Sequence, residues 1–186
     1  MRVISGTAKG RTLKSPGAAT RPITDRVKTS LFNILGTRVI DANVLDLFAG
    51  AGSVGIEALS RGARAATFVE RDREALNAIR ANLEATRLAG RAKIVRLDVF
   101  KFIRHPTGEK FNLIYVAPPQ YRGLWAETLI ALDGSELLAE GGVVVAQIHP
   151  KEYKELALTE LELFDQRKYG STMLYFYRRR ILPATD

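Results

Sequence analysis

The chain has 186 residues, carries 28 Lys and Arg against 20 Asp and Glu for a net charge of +8, and contains no cysteine. That length suits one domain with a full core, and the missing cysteines exclude disulfides and thiolate metal sites. No window approaches about 18 uninterrupted apolar residues and the basic start lacks an apolar stretch, so neither a membrane span nor a signal peptide is expected, and a reducing cytoplasm is the expected location.

The charge is concentrated at one end. Residues 1–40 hold eight basic residues and a single acid, Asp25, whereas the remaining chain is nearly neutral at +1. Such a segment suits a polyphosphate partner, because Lys and Arg neutralise phosphates and release counterions. Within it, Arg2 to Gly6 and Arg11 to Leu13 predict a short hairpin with turns at Gly6 and Gly10. A helix follows with Thr24 as N-cap and Asp25 in its first turn. Val27, Leu31, Ile34 and Leu35 make its apolar stripe, and Arg26 and Lys28 are read as facing solvent or a ligand.

From Asn43 the pattern alternates between strand and helix. Val44 to Phe48 reads as a buried strand, followed by a glycine loop and a helix over residues 56–61. Ala65 to Glu70 is the second strand, and Asp72 caps a helix from Arg73 to Leu88 that Gly90 stops. Lys93 to Leu97 is the third strand and Phe111 to Val116 the fourth, with a helix from Trp125 to Leu138 and a fifth strand from Gly142 to Ile148 after it. A hairpin around Tyr169-Gly170 closes the chain. Alternation of this kind implies a mostly parallel sheet with helices on both faces, which binds ligands at the carboxyl ends of its strands.

Three features at those ends carry chemistry. Gly50-Ala51-Gly52-Ser53-Val54-Gly55 is a G-x-G-x-x-G at a strand-to-helix turn, and Glu70 lies 20 residues beyond Gly50, where a carboxylate can accept ribose hydroxyls. Taken alone this also fits a dinucleotide-binding dehydrogenase. Asp46 inside the first strand and Asp98 after the third add two acids at the same edge. Three acids suit a cofactor with a ribose, an exocyclic amine and a positive charge, as S-adenosylmethionine has, better than a pyrophosphate. The third feature is the turn Ala117-Pro118-Pro119-Gln120-Tyr121, where two prolines force the chain out of the sheet and hold it extended.

The run DLFAGAGSVGIEALSRGA, the acids of VERD and LDVF and the PP turn resemble a class I S-adenosylmethionine-dependent methyltransferase. RVISGTAKGRTLKSP, RPITDRVKTSLFNIL and the tail KYGSTMLYFYRRR are similar to the bacterial 16S ribosomal RNA guanine-N2 methyltransferase family, the RsmD-like proteins. The resemblance implies a Rossmann-like α/β fold, a mostly parallel seven-stranded sheet with a C-terminal antiparallel hairpin, over residues 41–186. A basic arm of residues 1–40 precedes it. It also implies methyl transfer from S-adenosylmethionine to a guanine N2 in 16S ribosomal RNA or the small subunit, leaving S-adenosylhomocysteine, by a monomer needing no metal.

Cofactor contacts are then expected from Asp46, Phe48, Gly50, Gly52, Glu70, Arg71, Asp98 and Val99, and RNA contacts from Arg2, Lys9, Arg11, Arg21, Arg26 and Lys28. The catalytic turn is residues 117–121. Where the family has a carboxylate this chain has Ala117, and where it has an aromatic ring this chain has Gln120, with Tyr121 one place later. Losing a charged acceptor costs roughly 1.5–3 kcal/mol, or about tenfold to a few hundredfold in rate. Backbone carbonyls of Ala117 and Pro118 remain, Gln120 is expected to supply an amide oxygen, and Tyr121 the ring that stacks on an extruded base. The other readings are an adenine-N6 or other amino-methyltransferase, and a catalytically weak RNA-binding module that keeps the cofactor fold.

Overall fold

The computed structural model describes residues 1–17, 23–105 and 108–181. After an N-terminal loop, α1 spans Asp25–Leu35, capped by Thr24, whose side chain accepts from the Val27 amide. The strands are β1 (Asn43–Leu47), β2 (Ala65–Glu70), β3 (Ala92–Arg96), β4 (Phe111–Val116), β5 (Leu138–Ile148), β6 (Leu161–Tyr169) and β7 (Thr172–Arg179). Between them lie α2 (Ser53–Ser60), α3 (Arg73–Thr86), α4 (Val99–Arg104) and α5 (Leu124–Asp133). The strand order is β3-β2-β1-β4-β5-β7-β6, with β7 antiparallel to both its neighbours.

The chain leaves β1 toward β2 and β3 on one side, then returns to place β4 on the other. Strand order reverses between β1 and β4, so a crevice opens beyond their carboxyl ends. Each sheet face carries its own apolar cluster, one with Val44, Phe68 and Ile79, the other with Leu45, Val69 and Trp125. No helix among the described residues is long and apolar enough to cross a membrane.

Several element ends differ from expectation, each for a local reason. Helix α3 stops at Thr86 because Arg87 turns left-handed, before Gly90 is reached. Helix α5 ends at Asp133, whose carboxylate accepts the backbone N–H groups of Thr159, Glu160 and Leu161, and β5 already begins at Leu138. Helix α4 had no counterpart in the sequence reading. Asp98 caps it by accepting from the Phe100 and Lys101 amides.

The N-terminal segment is docked, not free. Val3, Ala8, Leu13 and Ile23 belong to the same core as α1, α2 and β1. The turn at Gly6 approaches α2 so closely that a Cβ there would lie 1.8 Å from the Ser60 carbonyl oxygen, which requires glycine. The fully buried Glu57 of α2 accepts from the amides of Ile4 (2.7 Å) and Ser5 (3.0 Å) and from Arg61 Nε (2.7 Å), and its Oε2 lies 3.4 Å from Lys28 Nζ. Lys28 is also fully buried, donating to the Arg2 carbonyl and to Ser53 Oγ. Burial pushes its ammonium below the ordinary lysine range and Glu57 pulls it back up. The expectation that Lys28 faces solvent or RNA is therefore corrected: it is an internal cation of the arm's anchor. Asn82 of α3 completes the docking by bonding the Lys14 backbone on both N–H and C=O and the Ala51 carbonyl.

Replacing Glu57 leaves a buried ammonium without its counter-ion and two amides without an acceptor. Glu57→Ala is expected to cost about 3–5 kcal/mol in urea unfolding, and a loss below 1 kcal/mol would contradict the anchor.

Candidate active site

A cleft of about 640 Å³ opens at the carboxyl ends of β1, β2 and β4. Its walls bring together Asp46, Phe48, Gly50, Glu70, Arg71, Asp98 and Val99 with Ala117, Pro118, Pro119 and Gln120. Thus the acids of three strands and the Pro-Pro turn, far apart in sequence, share one cavity of ligand-binding size.

Asp46 is 2% exposed, and its Oδ2 accepts from the Gly55 amide at 2.9 Å. That approach needs the glycine, since a Cβ at Gly55 would lie 2.3 Å from the Phe68 ring. Burial raises the Asp46 carboxyl from its ordinary value to about 7, with the Gly55 bond opposing and the charge of Glu70 adding to the rise. Glu70 ends β2 and bridges two loops: Oε1 accepts from the Arg71 and Asp72 amides and Oε2 from the Gly50 amide at 3.0 Å. Carboxylate oxygens carry further lone pairs, so acceptor capacity remains for a ligand. Asp98 spends Oδ1 on capping α4, while its Oδ2 lies 3.7 Å from Arg71. Phe48 turns the chain out of β1 with φ +58°, a strained conformation of the sort that gathers at binding sites.

Two expected residues stand elsewhere. Gly52 is not in the cleft wall. It begins α2, and a Cβ there would crowd Phe68 and Ile79, so it serves helix–strand packing. Tyr121 is likewise outside the wall, 65% exposed, with φ +61°, its ring 5.4 Å from that of His149 and its amide donating to Glu152. The left-handed turn there aims the side chain away from where Gln120 lines the cleft.

Other cleft residues escaped the sequence reading. Met1, Ser15, Pro16 and Ile23 of the N-terminal segment form part of the wall, as do Tyr115 and Gln147, whose side chains are joined by a 2.5 Å hydrogen bond from the phenol to Oε1. Of the expected RNA contacts, Arg2, Lys9, Arg11 and Arg26 are exposed, Arg2 pairing with Asp25 at 2.9 Å. Arg21 lies outside the described residues. At the other end, Arg178 and Arg179 pair with Glu162 and Glu160.

The fold and this cleft are those of a Rossmann-like methyltransferase, a class whose methyl donor is S-adenosylmethionine. The residues present fit that group, because a glycine loop, acceptors for a ribose and a buried carboxyl group line the same wall. Residues 1–178 match the family described as Conserved hypothetical protein 95, and the chain belongs to it. A Bacillus subtilis protein named as a candidate rRNA methyltransferase, YlbH, is 40% identical over 97% of this chain and 100% of its own length. The ribosomal RNA small subunit methyltransferase D of Escherichia coli (strain K12) is 34% identical over 100% of this chain and 93% of its own. A solved Escherichia coli structure, described as a candidate methyltransferase, yhhF, superposes with a TM-score of 0.86 at 35% identity, covering 96% of this chain and 97% of that one.

The raised Asp46 carboxyl has a definite consequence for stability. Its folded pKa exceeds the unfolded one, so the protonated form favours folding; this contribution is whole below about pH 4 and is lost as pH rises to about 7. Asp46→Asn is therefore expected to be more stable than wild type at pH 8, by roughly 2–4 kcal/mol at most, and equal to it near pH 4. Urea midpoints at the two pH values measure this; an equal difference at both would refute it.

Proposed function

We propose that the protein transfers a methyl group from S-adenosylmethionine to the exocyclic N2 amine of a guanine in 16S ribosomal RNA, acting as a cytoplasmic monomer. The observation that carries this reading is the single cleft joining three strand-end acids to the Pro-Pro turn, in a chain whose full-length relatives are named for methylation of ribosomal RNA. When bound, S-adenosylmethionine supplies an electrophilic methyl on a positively charged sulfur.

Glu70 would accept the ribose hydroxyls through its remaining lone pairs, and the Gly50 backbone, held by that same carboxylate, would approach the methionine portion. Phe48, Arg71 and Val99 would border the adenine, and Asp98 Oδ2 would accept from its amine. Asp46 would face the methionine ammonium, whose positive charge favours the ionised carboxylate over the protonated form. On the opposite wall a backbone carbonyl of the Ala117-Pro118 turn accepts one N–H of the guanine amine. Such acceptors orient the lone pair and offset the charge that develops as the N–C bond forms. In the transfer the S–C electron pair would stay with sulfur, and the surplus proton on nitrogen would leave to water.

The arm supplies phosphate contacts through Arg2, Lys9, Arg11 and Arg26. Contacts of this class fix position on a folded RNA without reading bases.

Methyl transfer from labelled S-adenosylmethionine to unmodified small subunits tests the reaction. The expected result is saturable incorporation of about one methyl per subunit, and cofactor binding without transfer would instead favour an RNA-binding module. Joint Lys9→Ala and Arg11→Ala substitution is expected to weaken subunit binding and reduce the salt slope of log K by about 0.7–0.9 per lost phosphate contact. An unchanged slope would remove these residues from the interface.

A further inference from the structure

Strands β4 and β5 pair in parallel, with Tyr115 beside Val145 and Val116 beside Ala146. Ala117 follows the last residue of β4 and Gln147 is the next residue of β5, so the two stand at the same level of the sheet edge. Because side chains alternate faces, Tyr115, Ala117 and Gln147 lie on one face of the sheet, together with Asp46, the partner of Tyr115 on β1. All four line the cleft. The methyl group of Ala117 offers no polar atom, whereas the neighbouring Gln147 amide is half-buried and fixed. Its Oε1 accepts the phenol of Tyr115, itself only 3% exposed, and an amide oxygen carries a second lone pair. Burial keeps that phenol well above its ordinary pKa and hence a donor. Gln120, also in the cleft wall, has no hydrogen bond among the described residues to hold its amide. A preorganised acceptor stabilises developing charge without reorganising during the reaction, which a free side chain does not do.

We propose that Gln147, held in place by Tyr115, is the side-chain acceptor for the target amine that position 117 lacks. This rests on the methyl-transfer reading above. The Gln147 oxygen receives one N–H of the amine and a turn carbonyl receives the other. The bond formed is N–C, the bond broken is S–C, and the released proton passes to water, since an amide is no base. Gln147 is thereby a catalytic residue and Tyr115 a positioning residue.

The test measures single-turnover methyl transfer to unmodified small subunits, cofactor affinity by calorimetry and thermal melting for each variant. Gln147→Leu is expected to lose roughly tenfold to a few hundredfold in rate, with cofactor affinity within about twofold of wild type. Adding Ala117→Asp to Gln147→Leu is expected to restore at least about tenfold, because a carboxylate acceptor then stands on the same face. Tyr115→Phe is expected to lower the rate while the same Ala117→Asp addition offsets the loss. Should Gln147→Leu fail to fold, Gln147→Asn withdraws the oxygen by one methylene and carries the same expectation. A Gln147 variant with wild-type rate overturns the proposal, and so does a slow one that Ala117→Asp does not rescue. Wild-type protein that binds the cofactor but transfers nothing overturns the functional reading itself and this inference with it.

Discussion

A buried carboxylate holds the molecule's two functional parts in register. Glu57 sits on the helix that follows the glycine loop, yet all four of its partners lie outside that helix or at its end: the Ile4 and Ser5 amides, Lys28 and Arg61. An ion pair this deep gains its value by satisfying every polar atom around it, and no buried side-chain polar atom among the described residues lacks a partner. Lys28 extends the anchor to Ser53, a cleft residue, so side-chain hydrogen bonds tie the basic segment to the start of the helix behind the glycine loop. Without that node the N-terminal segment would be a tethered chain, and the wall contributed by Met1, Ser15, Pro16 and Ile23 would be missing.

The cleft divides its labour by wall. One side is anionic and backbone-rich, built from strand ends whose carboxylates are already engaged with loop amides. That engagement places each lone pair before a ligand arrives, and it lowers the entropy lost on binding. The other side is stiff and nearly devoid of charge, with Pro118 buried, Pro119 exposed and a tyrosine–glutamine pair beneath. Methyl transfer to an aromatic amine needs orientation and modest charge relief more than acid or base strength, which suits a wall made of carbonyls and amides.

Much of this was legible in the sequence because it rests on short-range chemistry. Strands β2 and β4 appear at their expected residues because each is a mostly apolar run, and Thr24 and Asp72 cap their helices as their side chains dictate. The three acids reach one edge because parallel strands deliver their carboxyl ends together. What escaped depends on neighbours distant in sequence. Lys28 counts as one more positive charge in a basic block, although its spacing of 3, 4 and 7 residues from Leu31, Phe32 and Leu35 puts it on the buried stripe. Asp98 reads as a ligand acid, which hid its second task as the cap of α4. The direction of Tyr121 follows from a left-handed residue that a tyrosine seldom adopts, and Gln147 enters the site only through strand register.

The central claim is that this cleft methylates one guanine of small-subunit ribosomal RNA. Nucleoside mass spectrometry of that RNA from otherwise identical cells with and without the protein tests it most directly. The account predicts that one N2-methylguanosine disappears in its absence and returns when the gene is restored. An unchanged nucleoside profile would contradict it.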